Sequence, residues 1–127
     1  MKDINFPQLI ELARKMVMDG VCPWTDQQNF DSLIKCILGE CDELSEAVHE
    51  GHSTKEITSE AGDVLILILM LCYKLESLGL STVEGIITEA VSKIRRRAPH
   101  VFSSKAISYE EARKAWALGK LQEKSEK

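Results

Sequence analysis

Apolar residues recur along this chain at the three-to-four-residue spacing of helices, and no stretch alternates as a strand would. Leu9, Ile10, Ala13, Met16 and Val17 predict a first helix over about residues 6–18, with Pro7 suited to its first turn. The segment DGVCPWTDQQN is read as a loop, punctuated by Gly20 and Pro23. Phe30, Leu33, Ile34, Ile37, Leu38, Cys41, Leu44 and Val48 form the stripe of a second helix, from Asn29 or Phe30 to Glu50. Gly51 ends it, and Ser53 or Thr54 caps a third helix that stops at Gly79. Ser81 or Thr82 starts a fourth, with Val83, Ile86, Ile87, Ala90, Val91 and Ile94 on its face and Pro99 as its stop. HVFSSKAIS is read as a loop, and YEEARKAWALGKLQEK as a final amphipathic helix.

The third helix breaks the amphipathic rule. Residues 64–73 carry no charge on any side, so they call for burial all round. The remaining helices of so small a chain hardly cover them. The expectation is a homodimer or homotetramer in which the second and third helices of neighbouring copies pack together. The predicted fold is therefore all-α, a bundle of about five helices whose core is completed by homo-oligomerisation. One domain is expected over residues 1–127, with 1–5 and 121–127 frayed.

Two acidic pairs stand at the edges of the buried faces. Each helical residue turns about 100°, which puts Glu40 on the margin of the second helix's apolar arc and Glu43 about 60° further round. Glu60 and Asp63 repeat the arrangement on the third helix. Residues at i and i+3 are surface neighbours, and a short turn joins the two helices as an antiparallel hairpin. The four carboxylates can thus meet at one spot, where they repel unless a cation lies between them. An all-oxygen donor set selects a hard ion, Mg²⁺ or Mn²⁺. The plainer alternative is that Glu40 and Glu43 are solvated and that Glu60 and Asp63 are an acidic first turn. A rival di-iron reading would use Glu46 and His49 as E-x-x-H. It needs a second such motif, and neither His52 nor His100 has a carboxylate three residues earlier.

At the end of the fourth helix, SKIRRRAPHVF gathers Lys93, Arg95, Arg96 and Arg97. These cations either complement the helix dipole or fork onto phosphate oxygens. Trp24 either plugs the end of the bundle or stacks on a base. His100 either orients a phosphate or caps the helix end. The net charge of −4 argues against a general nucleic-acid-binding surface. Cys22, Cys36, Cys41 and Cys72 form no C-x-x-C pair and read as reduced thiols. With no signal-peptide pattern at residues 1–15 and an apolar run too short to span a bilayer, a cytoplasmic protein away from membranes is expected.

CPW…Q…F, GECDEL, SEAGDVLILI and KIRRRAPHVF occur together in an order and spacing that resembles the MazG-like nucleoside triphosphate pyrophosphohydrolases, over about residues 6–120. The resemblance implies an all-α fold assembled as intertwined dimers or higher oligomers. It implies Mg²⁺-dependent cleavage between the α- and β-phosphates of an NTP or dNTP, giving the monophosphate and pyrophosphate. By carry-over, Glu40, Glu43, Glu60 and Asp63 would be metal ligands; the expected mechanism has a carboxylate not fully engaged with metal, Glu40 or Glu43, take the proton of the attacking water. Lys93, Arg96 and Arg97 would face the phosphates. The sequence departs from the family at three places. Gly39 replaces the first acidic residue of E-E-x-x-E, Thr25 stands where Asp is frequent, and Ala98 replaces a common His. The loss at Gly39 keeps open a non-catalytic helical interaction module. A pyrophosphohydrolase restricted to one modified nucleotide is the other alternative.

Overall fold

The computed structural model describes residues 4–126. It contains seven helices and no strand among the described residues. They are α1 (Phe6–Met18), α2 (Pro23–Asp26), α3 (Phe30–His49), α4 (Thr54–Ser77), α5 (Val83–Arg97), α6 (Pro99–Ser103) and α7 (Tyr109–Ser125). The all-α class expected from the periodicity is the one observed. The two additional helices, α2 and α6, fall in segments read as loops. Each opens with its proline, Pro23 or Pro99, in the first helical position. Proline lacks only an N–H that the first turn leaves unpaired anyway, so it starts a helix as readily as it stops one. Residues 1–3 and 127, part of the ends expected to fray, lie outside the described residues, and α7 is helical through Ser125.

The helix starts follow from side-chain caps. Asn29 accepts from Ser32 N (2.8 Å) while Ser32 Oγ accepts from Asn29 N (2.9 Å), a reciprocal box at the head of α3. Ser53 caps α4 through Glu56 N. Between them the chain reverses at Gly51, with φ +68°, a left-handed conformation that suits glycine. The His52 N–H reaches back to Ala47 O (2.9 Å) and closes the end of α3.

Contacts gather the chain into two compact units, residues 1–83 and 84–127. In the first, α4 packs against both α3 and α1. Ala13, Leu33, Leu67, Met70 and Tyr73 are its buried centre, with Ile10, Cys36, Ile37, Ile66 and Leu69 around them. The polarity-free stretch of α4 therefore buries one face only: Leu65 and Ile68 remain 41% and 43% exposed. In the second unit α5 has no fully buried residue, and Ile87, Val91 and Ile94 stand exposed along it. Among the described residues no helix is long and apolar enough to cross a membrane.

Candidate functional site

Glu40 and Asp63 stand equally far from the turn between α3 and α4, each about 13 Å along its helix axis. Glu43 and Glu60 form a second level about 9 Å from the turn. In an antiparallel hairpin equal distances mean juxtaposition. One carboxylate oxygen from each of Glu40, Glu60 and Asp63 lies within 4.8 Å of the others. Glu43, exposed on α3, stands beside this group and shares a hydrogen bond with Glu40. That hydrogen bond, then burial, then the negative charges of Glu43, Asp63 and Glu60 push the Glu40 carboxyl up to about 7.

Two oxygens of the group, Glu40 Oε2 and Glu60 Oε2, are buried with no hydrogen-bond partner. A buried polar atom without a partner costs free energy. Here both orphans belong to acidic groups facing other acidic groups. A hard divalent cation is the species that such a donor set fits, since it takes oxygen ligands and offsets the repulsion. Glu46 and His49 do not join this group. Both are exposed, and His49 Nδ1 is hydrogen-bonded to the Ser45 carbonyl at 2.7 Å.

Beside the acidic group opens a cavity of about 280 Å³, walled by Glu40, Asp63, Trp24, Met16, Cys36, Ile66, Leu67 and Met70. Trp24 is half exposed there, carried by α2. Next to it Thr25 is buried and donates to Cys22 Sγ (3.1 Å). That bond, the largest influence, lowers the Cys22 thiol pKa. A carboxylate at position 25 would lose its water at this buried place.

The second unit holds Lys93, Arg95, Arg96 and Arg97. Lys93, Arg96 and Arg97 line a cavity of about 730 Å³, together with Lys120, Lys124, Glu89 and Glu123. Arg97 forks onto Glu123 through Nη2 (2.6 Å) and Nε (3.0 Å). Arg96 donates from Nε to Glu123 (3.1 Å) and from Nη2 to Glu89 (3.0 Å). The hydrogen bond from Arg97 holds the Glu123 carboxyl down at about 2 despite its partial burial. Arg95 lies over the Phe102 ring at 4.3 Å and Arg97 over Trp116 at 5.2 Å. His100 sits half-buried in α6. Glu123 and Trp116 escaped the sequence reading. Their trace was there, since Trp116, Gly119 and Glu123 share one face of α7 at i, i+3 and i+7.

A helical hairpin that aims acidic i, i+3 pairs at one point, followed by a run of arginines, defines a class seen in known proteins. Residues 28–102 match the MazG nucleotide pyrophosphohydrolase domain, and the chain belongs to that family. It is 34% identical over 125 residues to the nucleoside triphosphate pyrophosphohydrolase/pyrophosphatase MazG of Thermotoga maritima, covering 98% of this chain and 47% of that protein. To the nucleoside triphosphate pyrophosphohydrolase of Mycobacterium tuberculosis it is 33% identical over 107 residues, covering 83% of this chain and 33% of that one. The chain thus spans about half the length, or less, of these curated relatives. The crystal structure of a mazG-related protein from Thermotoga maritima superposes with a TM-score of 0.81 at 28% identity, covering 91% of this chain and 98% of that one.

Proposed function

We propose that this protein hydrolyses nucleoside triphosphates, NTP or dNTP, to the monophosphate and pyrophosphate with the help of Mg²⁺, Mn²⁺ being the substitute. The observation that carries the reading is the convergence of Glu40, Glu60 and Asp63 with two orphaned buried oxygens among them. The names of the relatives support the reaction class.

Glu40, Glu60 and Asp63 would hold the cation, with Glu43 beside them. Held there, a divalent ion would supply Lewis acidity, activating a water and offsetting charge on the pyrophosphate leaving group. Of Glu40 and Glu43, Glu43 lies outside the three-oxygen cluster, which favours it as the group that takes the water's proton. The water oxygen bonds to the α-phosphorus, the bond from that phosphorus to the α,β-bridging oxygen breaks, and pyrophosphate departs. Lys93, Arg96 and Arg97 bind the phosphate oxygens. Trp24, in the wall of the acidic cavity, offers a face for the base, and His100 is a second candidate for orienting a phosphate.

We assign the whole chain to one functional domain that works as a homodimer or homotetramer. The exposed Leu65 and Ile68 in the charge-free stretch of α4 support a partner copy. Four free cysteines support a reducing compartment such as the cytoplasm.

The test is pyrophosphate release from a panel of NTPs and dNTPs, with Mg²⁺ and with EDTA. Wild type should act only with the metal, Asp63→Ala should abolish release, and Glu43→Gln should lower kcat about 100-fold. Flat rates across the panel would exclude an enzyme restricted to one modified nucleotide. No metal-dependent release at all would leave the interaction module or a substrate outside the panel.

A further inference from the structure

Arg96 and Arg97 adjoin one another at the end of α5, and their side chains are not free. One face of α7 holds them in three ways. Glu123 accepts from both guanidinium groups and forks Arg97 at 2.6 and 3.0 Å. The Trp116 ring lies under the Arg97 cation at 5.2 Å. Gly119 lets the two backbones touch: a Cβ there would stand 2.9 Å from Arg96 O and from Arg97 Cα. The contacts take the Nε edge of both groups, and Glu89 takes Nη2 of Arg96. The Nη1 ends carry none of these bonds. An arginine has five N–H donors in a fixed fork, so fixing one edge aims the other. Residues 28–102 carry the family match, and α7 lies beyond them.

We propose that the α7 face formed by Trp116, Gly119 and Glu123 is a positioning element that holds Arg96 and Arg97 with their outer edges presented to a polyphosphate. Glu123 is the positioning residue of the set, and it acts through the arginines without touching the substrate. The inference rests on the reading above that these arginines bind phosphate. Immobilising two long side chains in advance removes an ordering cost that binding would otherwise meet. The effect belongs in substrate affinity and leaves the chemical step alone.

The experiment is steady-state kinetics on the full chain with Mg²⁺ and the best triphosphate from the panel, beside calorimetric binding of inorganic tripolyphosphate. Arg97→Ala should raise KM and weaken tripolyphosphate binding. Glu123→Gln keeps the size of the side chain but lacks the charge and one acceptor of the fork. It should raise KM about tenfold with kcat within about twofold of wild type, and weaken tripolyphosphate binding by a similar factor. Gly119→Ala, which forces α7 away from α5, should shift KM in the same direction. A Glu123→Gln protein that melts as wild type but has unchanged KM overturns the inference. So does one with a lower KM, because the carboxylate would then be competing with the phosphate for the arginines. An Arg97→Ala variant with wild-type KM and tripolyphosphate binding removes instead the underlying reading of the arginines, so the two failures are distinguishable.

Discussion

Glu40 shows how much one residue's position settles. Its place at the apolar margin follows from counting turns of a helix, and the neighbours that margin would meet were predictable from the short turn. The hydrogen bond to Glu43 and the buried orphan oxygen were not, since they depend on side-chain torsions. They also set a pH response. The folded protein holds the Glu40 proton more tightly than an unfolded chain does, its pKa being pushed from 4.5 up to about 7. The resulting stabilisation is fully present below pH 4.5 and is lost as pH rises through about 7. In EDTA, the thermal midpoint should therefore fall over that interval, and Glu40→Gln should flatten the fall. A midpoint that rises with pH in wild type and variant alike would contradict this account of Glu40. Gly39 is legible in the opposite sense. A Cβ there meets nothing within 4 Å, so packing does not require glycine at this position.

Among the elements, the long helices were written in apolar periodicity and in caps. α1 begins and ends at the residues expected, and Asn29, Ser53 and Ser108 cap as their side chains permit. The short helices were hidden because a proline in sequence marks a boundary without saying on which side the helix lies. The grip of α7 on α5 was hidden for another reason: Glu123 meets Arg96 and Arg97 across 27 and 26 positions, and periodicity carries no information about partners so distant. Caps are testable singly. Asn29→Ala removes the side-chain half of the box at the head of α3, leaving the backbone N–H of residue 29 to donate to Ser32 Oγ, and should cost about 1 kcal/mol in urea unfolding, with the m-value unchanged. Because α3 carries Glu40 and Glu43, a loss beyond about 2 kcal/mol would show that more than the cap had been removed.

For the whole molecule, the charge-free stretch of α4 gave the sharpest expectation, burial on every side. The single chain meets it on one side, through Leu67, Met70 and Tyr73, and leaves Leu65 and Ile68 in the open. A second copy would complete it. Light scattering at micromolar concentration should find a dimer or tetramer, and Ile68→Asp should shift it toward monomer while circular dichroism stays helical. A wild-type monomer at all concentrations would remove the proposed assembly. Which helix of a neighbour covers the exposed face was never readable, because one chain's pattern names the surface and not its occupant.

If the proposed cation binds at the unpartnered oxygens of Glu40 and Glu60, unfolding becomes a gauge of magnesium. Without a cation the hairpin carries its own repulsion, and the proposed ion would relieve part of it in the folded state. Stability should then climb by about 1.4 kcal/mol for each tenfold excess of free Mg²⁺ over its dissociation constant. A series of melting curves, with no nucleotide and no turnover, would read out that constant. Asp63→Ala should flatten the series, and Ca²⁺ in place of Mg²⁺ would report how closely the two helices tolerate a larger ion.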